Sequence, residues 1–298
     1  MRLVGLAIVR NEEDILEASI RHNLRALDAI AVVDHGSDDA TPAIVDALVA
    51  EGLPVDRVRD EALEFRPAAL RDAHAARLLA AGADVVVPVD ADEFLRIASR
   101  SEFERAVRAA GAGVPLAIPS TIHALPFAGE SGSEAAIAAR LLRARRRDDG
   151  RPAERKFVVH GGAAEARDGR ATPRDLDAAV ASIAHVPIRG AAQFIGKVAV
   201  GHLARLLAGD APGGPWAEVY PAILAGHRYN DDELLAILSN YGAGTDRREP
   251  ATVRWVDAPI DIGATLRVTP DAVGRPLARI LGFGERVAAE IARATGGL

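Results

Sequence analysis

The chain of 298 residues contains no cysteine. That excludes a disulfide framework, a thiol nucleophile and any zinc site built on cysteine. An excess of positive charge is also missing. Lys and Arg number 36 against 42 Asp and Glu, for a formal charge of −6. This mild acidity argues against a general nucleic-acid binder and leaves room for a local basic phosphate site. Lysine is scarce beside arginine. No uninterrupted apolar run reaches the length of a membrane span: the first, residues 3–9, is stopped by Arg10-Asn11-Glu12-Glu13-Asp14. The same charged patch stands where a signal peptide would place its cleavage region, so none is expected. The expected location is cytoplasmic, with peripheral contact at the inner face of the membrane left open. There is neither an internal repeat nor a low-complexity linker long enough to part independent domains. What is present, 49% hydrophobic and 26% charged residues, is an ordinary globular balance for one large domain or two small ones.

Short apolar runs alternate with helical patterns over the first part of the chain. Strands are expected at residues 3–9, 29–33, 55–58, 85–89 and 116–119. Helices are expected at 12–26, 41–51, 67–81 and 101–110. Thr41-Pro42 reads as an N-cap followed by proline at the first helical position, and Gly52 and Gly82 as helix stops. Strands alternating with helices predict an α/β fold with a mostly parallel sheet covered on both faces. Beyond about residue 125 the pattern weakens. Strands are expected at 156–160 and 180–185, and a helix at 191–207. The arginine-rich stretch 140–155 reads as a solvated turn between strands. Residues 208–216 form a Gly/Pro-rich connection, and the rest is mainly helical, with helices at 231–238 and 277–295.

Parallel sheets bind ligands beyond the carboxyl ends of their strands. Here those ends hold Arg10-Asn11, Asp34-His35 and Asp90-Ala91-Asp92. Asp90 and Asp92 leave a buried strand two residues apart. If strand geometry continues, they point the same way and address one hard cation, which can neutralise a diphosphate. Glu93 then alternates to the opposite face and supports the loop. Asn11 suits either a cap of the following helix or a base or ribose lying against the strand end. Asp34 can accept from uracil N–H or ribose hydroxyls, whereas His35 reads as a turn residue. Arg66 and Arg71 open the third helix, as surface ion-pair members or as groups reaching a nucleotide.

Three segments in order, Val9-Arg10-Asn11-Glu12, Val33-Asp34-His35-Gly36-Ser37-Asp38-Asp39-Ala40-Thr41 and Asp90-Ala91-Asp92-Glu93-Phe94, resemble the motifs of family 2-like glycosyltransferases, above all a bacterial branch opening V-R-N-E. The resemblance covers about residues 1–100. It returns at His185-Val186-Pro187-Ile188-Arg189 and Gln193-Phe194 with Lys197, where Gly190 replaces the branch's usual serine. It implies a GT-A-like, Rossmann-like fold, a nucleoside-diphosphate sugar donor, and Mn²⁺ or Mg²⁺. By the same implication Asp90 contacts the ribose or the ion, Asp92 binds the ion, and Asp34 faces the base or ribose. His185 is either a hydrogen-bonded turn histidine or a third metal ligand. Arg189 and Lys197 are either surface cations or the groups that hold the diphosphate, beside free N–H groups at a helix start. The expected donor set is thus Val9, Arg10, Asn11, Asp34, Arg66, Arg71, Asp90, Ala91, Arg189 and Lys197. The expected metal set is Asp90, Asp92 and His185.

No general base stands out. Glu130, Glu134, Glu165, Asp177, His123, His160 and His185 all satisfy the chemistry. The expected layout is a nucleotide-sugar-binding half at 1–124, an acceptor-side and donor-closing half at 125–210, and a mainly helical region at 211–298. The expected reaction moves a sugar to a hydroxyl acceptor, on a glycan, a lipid-linked compound or a small molecule, with inversion. Two rivals stand beside it. One is a nucleotidyltransferase, which would want a glycine-rich basic loop where Arg10-Asn11-Glu12-Glu13 stands. The other is a catalytically degenerate binding module of the same fold.

Overall fold

The computed structural model describes residues 1–111, 114–127, 136–150, 154–160, 173–209, 215–243, 247–267 and 276–294. Its first layer is β1 (Leu3–Val9), β2 (Ala29–Asp34), β3 (Val55–Arg59) and β4 (Val85–Pro88), with α1 (Leu16–Asn23), α2 (Thr41–Ala50) and α3 (Pro67–Ala80) between them. These strands are parallel in the order β3-β2-β1-β4, as the alternating pattern predicts. Val85, Val86 and Val87 are fully buried because helices cover both faces. Each such side chain contributes about 1.5–3 kcal/mol relative to exposure. On one face Leu16, Ile20, Ile44 and Leu48 of α1 and α2 pack on alternate strand residues. On the other Ala75 of α3 meets Val4, Leu6, Val33 and Val86.

After β4 come β5 (Glu93–Ile97), α4 (Arg100–Ala110), β6 (Leu116–Ala124), α5 (Ala136–Leu141), β7 (Arg145–Arg147) and β8 (Glu154–His160). Then follow β9 (Arg174–Asp175), β10 (Ala181–His185), α6 (Ala191–Leu207), α7 (Pro215–Leu224), α8 (Asp231–Ser239), β11 (Trp255–Asp257) and α9 (Pro276–Ala294). The sheet continues through antiparallel β8, β6, β7 and β11. Strand β5 is absent from the sequence reading, as is α7. β5 pairs antiparallel with β10, setting His185 opposite Glu93, and the Val186 N–H donates to the Asp92 carbonyl at 2.9 Å. This pairing brings the chain near residue 185 to the acidic pair. Among the described residues no helix is long and apolar enough to cross a membrane.

Several local expectations change. Helix α1 starts at Leu16, not residue 12, because Glu12 to Ile15 form a turn. Asn11 does not cap it. Asn11 has φ 58°, a left-handed conformation that asparagine tolerates, and its Oδ1 accepts from the Asp38 N–H at 2.7 Å. Thr41 is not the cap of α2 either: it lies inside the helix, its N–H donates to Asp39, and its Oγ1 accepts from the Glu12 N–H. Within the described part of the arginine-rich stretch, Arg145–Arg147 form β7 and not a solvated turn. Arg147 is buried, 3.2 Å from Asp149, and donates to the carbonyls of Leu238, Ser239 and Tyr241 at the end of α8. The Leu238 carbonyl also accepts from the Tyr241 N–H at 3.2 Å, and the buried guanidinium adds a donor to the carbonyls at and just beyond this helix end.

Candidate active site

The carboxyl ends of β1 and β4, the start of α3, the face of α6 and α9 surround one cleft of about 420 Å³. That is a ligand-sized volume. Asp90, Ala91 and Asp92 lie on its floor, with Val9, Arg10, Asn11 and Glu12 beside them.

Strand β4 stops at Pro88, so the period-two geometry expected of the acidic pair does not hold. Asp90 and Asp92 sit in a turn and take different partners. The Asp90 carboxylate pairs with Lys156 of β8, and Lys156 also lies 3.2 Å from Glu93. Burial pushes the Asp90 carboxyl up, and the Lys156 ammonium more than reverses this, holding it below the usual range. Glu93 is not on an opposite face. It accepts from the Asp90 N–H at 2.9 Å, which pins the loop, and it shares Lys156. Its own carboxyl is raised to about 7, chiefly by burial.

Asp92 is 2% exposed and meets three cationic or titratable groups. Lys197 of α6 is 2.5 Å from Oδ2, His185 Nε2 is 3.5 Å from Oδ1, and Arg189 is 3.7 Å away. Burial opposes ionisation of Asp92, but Lys197 and His185 outweigh it and hold the group well below its ordinary pKa. Lys197 also reaches Glu12 at 3.1 Å, and its pKa is raised because these carboxylates overcome the cost of burial. The chain's only two lysines are therefore Lys156 and Lys197, one on each acid of the pair. In an arginine-rich chain both compact ammonium charges sit at this site. That scarcity was the available signal for Lys156, which the motifs do not reveal.

Other expected residues are sorted by the fold. Arg189 is buried and fully engaged: Nη2 donates to Asp14 at 2.7 Å and to Glu12, and Nε donates to Asp14. It lies behind the cleft wall as a counter-charge instead of facing a diphosphate. Asp34 is 1% exposed and does not line the cleft; Oδ1 accepts from the Ser37 N–H at 3.0 Å. Its neighbour His35 lines the cleft in its place. Arg10 lines the cleft while donating to the carbonyls of His35 and Ala62, with its guanidinium 5.3 Å from the Phe283 ring. Burial, with Arg286 nearby, lowers the Arg10 pKa to about 10. Arg71 lines the cleft, whereas Arg66 is exposed and pairs with Glu64 at 2.9 Å. Of the general-base candidates, Glu130, Glu134 and Glu165 fall outside the described residues. Asp177 is exposed in a turn, His160 bonds to the Val114 carbonyl, and His123 to the Thr121 carbonyl. Only His185 among the described candidates lines the cleft.

Sequence reasoning placed the helix that is α9 at 277–295 but did not bring its side chains to the cleft. Arg279 lines the cleft and reaches Glu13 at 3.1 Å and Asp39 at 3.5 Å, and Arg286 donates to the Gly36 carbonyl. Phe283 is buried against Val200 and Ala204 of α6. The last helix thus fastens the loop after β2 to α6.

Among the described residues no three His, Asp or Glu side chains form a complete protein cage for a metal. Asp92 and His185 nonetheless present an oxygen and a nitrogen 3.5 Å apart on the cleft wall. That suits an ion that takes one or two protein ligands and completes its shell from phosphate oxygens and water.

No protein-family model matches the chain, and no curated protein matches it in sequence. Among solved structures it is similar to mannosyltransferase PcManGT from Pyrobaculum calidifontis in complex with GDP-Man and Mn²⁺, at 14% identity, over 100% of this chain and 76% of that one, with a TM-score of 0.37. It is similar to glucosyl-3-phosphoglycerate synthase from Mycobacterium tuberculosis, at 17% identity, 72% and 82% coverage and a TM-score of 0.34. It is also similar to a 4-diphosphocytidyl-2C-methyl-D-erythritol synthase, at 17% identity, 60% and 90% coverage and a TM-score of 0.35. Likeness at this level leaves activity to be argued from the cleft.

Proposed function

We propose that the protein is a metal-dependent glycosyltransferase that moves a sugar from a nucleoside-diphosphate donor to a hydroxyl acceptor, with inversion. The observation that supports it is Asp92, a buried carboxylate flanked by His185 and Lys197 at the strand ends of a ligand-sized cleft. Breaking the bond between sugar and diphosphate concentrates negative charge on the departing phosphate. Asp92 and His185 would hold Mn²⁺ or Mg²⁺, and the bound ion supplies Lewis-acid stabilisation of that charge without a proton. Lys197, now on Asp92, is placed to turn its ammonium to a phosphate oxygen. Lys156 keeps Asp90 ionised and oriented for a ribose hydroxyl or the ion. Arg189 keeps Asp92, Asp14 and Glu12 compensated. In this reading residues 1–124 bind the nucleotide sugar, 125–210 close on donor and acceptor, and 211–298 complete the cleft through α9. A cytoplasmic location belongs to the same proposal.

The test is a thermal-shift screen of nucleoside diphosphates and their sugars, with and without Mn²⁺. A ligand that binds the native state raises the melting temperature by mass action. Absence of any Mn²⁺-dependent shift would falsify the reading. Amine-selective labelling gives a second readout, since only Lys156, Lys197 and the N-terminus react. Bound nucleotide should slow modification of Lys197. A degenerate binding module would bind nucleotide and show no sugar transfer, and Asp92→Ala would then change no rate.

A further inference from the structure

The His185 backbone is fixed from two sides. β10 pairs it with Glu93 of β5 and with Ile122 of β6. The ring is a separate matter. The outer torsion of a histidine side chain is broad and roughly two-fold, so strand pairing alone does not settle which ring atom meets Asp92. Packing on the ring has to settle it. The Tyr241 ring stands at 90° to the His185 ring, with centroids 5.5 Å apart. Aromatic quadrupoles favour this edge-to-face contact, and it ties the plane of one ring to the other. In that orientation His185 Nε2 lies 3.5 Å from Asp92 Oδ1. Tyr241 lines the same cleft and stands within electrostatic reach of Lys197, the second partner of Asp92.

Tyr241 belongs to the turn after α8, and that turn is anchored at several points. The Tyr241 N–H donates to the Leu238 carbonyl at 3.2 Å, and the Tyr241 carbonyl accepts from Arg147 at 2.8 Å. Arg147 is buried on β7, with Asp149 beside it. The neighbouring Asn240 side chain accepts from the Arg248 N–H at 2.8 Å and donates to the Arg248 carbonyl at 3.0 Å. Tyr241 itself packs against the apolar cluster of Ile122, Ile188, Phe194, Leu234 and Leu238, which joins α8 to β6 and α6. A chain of contacts thus runs from Arg147 to Tyr241, then to His185 and Asp92.

We propose that Tyr241 is the positioning residue for His185: it holds the imidazole with Nε2 beside Asp92 and so preorganises both for the divalent ion. The assignment rests on the reading of Asp92 and His185 as the protein ligands of that ion. A group that fixes a ligand's orientation strengthens metal binding without touching the metal. Region 211–298 then enters the chemistry of the cleft through Tyr241, in addition to walling it with α9.

The experiment is Mn²⁺ titration of the full chain, read by loss of the free-ion electron paramagnetic resonance signal. Tyr241→Leu keeps apolar bulk and removes the ring, and should weaken Mn²⁺ about tenfold. Tyr241→Phe keeps the ring and should stay within about twofold of wild type. His185→Ala separates positioning from a general structural role. If Tyr241 acts through His185, adding Tyr241→Leu to His185→Ala costs no further affinity; losses that add overturn the proposal. So does a Tyr241→Leu variant that binds Mn²⁺ as tightly as wild type, and either result leaves the metal reading standing. Should Tyr241→Leu fail to fold, Tyr241→His, which keeps a smaller aromatic ring in the same turn, takes its place in the cycle with the same two outcomes. A wild type that takes up no Mn²⁺, alone or with UDP or GDP, brings down the metal reading and this one together.

Discussion

The inner and outer arms of the cleft are built on opposite electrostatic terms. In the inner arm Asp92, Glu12 and Asp14 meet Arg189, Lys197 and His185, and each charge is answered within the protein. In the outer arm, at the start of α3 and the last turn of α6, Arg71 and Arg205 line the cleft, and among the described residues neither has an acidic partner. The difference separates two kinds of binding. A ligand entering the inner arm exchanges one ion pair for another, so its charge is met by preorganised groups. A ligand entering the outer arm meets guanidinium donors that no carboxylate or carbonyl among the described residues engages. Substitutions in the inner arm should therefore disturb folding and chemistry, and those in the outer arm affinity alone.

The largest effect should come from breaking the inner arm at its hub. Arg189→Met leaves Asp14 and Glu12 buried without their guanidinium, a defect that costs about 3–5 kcal/mol. Denaturant unfolding monitored by circular dichroism reads it directly. A loss below about 1 kcal/mol would mean that water reaches these carboxylates, and the contrast between the arms would fail.

Next in size is chemistry without unfolding. Asp92→Asn keeps the shape of the side chain, and Lys197 retains Glu12 at 3.1 Å. Sugar transfer should fall at least about 100-fold, near 3 kcal/mol of barrier, with a smaller stability loss than in Arg189→Met. A large stability loss with intact turnover would reverse the roles given to Asp92 and Arg189.

A third prediction concerns the junction held by α9. Asp39, beside Arg279, has its carboxyl raised to about 6, chiefly by burial. An unfolded aspartate titrates near 3.8. Between those values the folded state holds more protons, so this group makes stability fall as pH rises from about 4 to 6. Asp39→Asn should flatten that part of the profile, removing a loss on the order of 2 kcal/mol, because the amide oxygen still accepts from the Thr41 N–H. Melting temperatures across pH 4–6.5 supply the measurement.

The inner arm was partly legible in the sequence and the outer arm hardly at all, and the reason is physical. β1, β2 and β4 are built on continuous apolar runs with turn residues at their ends, so their order and the strand-end position of Asp90 and Asp92 follow from local pattern. Tertiary pairing does not. The antiparallel match of β5 with β10 puts His185 against Glu93, and no local signal states which distant strand pairs with β5. The sequence reading put Asp34 at the site and His35 in the turn; the cleft is lined by His35 and not Asp34, because the turn at Ser37 decides which side chain folds back. Arg189 and Lys197 look alike as cations four and twelve residues beyond His185. Only burial shows that one faces carboxylates behind the wall and the other the cleft.

The smallest effects divide the two arginines that open α3. Arg71→Ala should raise the KM for the donor several-fold, about 1 kcal/mol, with kcat and melting temperature unchanged. Arg66→Ala removes an exposed pair with Glu64 and should change stability by less than about 0.5 kcal/mol and no kinetic constant. The two residues stand five apart, Arg66 at the cap of α3 and Arg71 inside it, yet the cleft reaches only the second. Equal KM effects would place the outer arm's boundary a full turn nearer the helix start. Null effects at both would mean that Arg205 alone provides the donors there, and a binding measurement on Arg205→Gln would then show the whole loss.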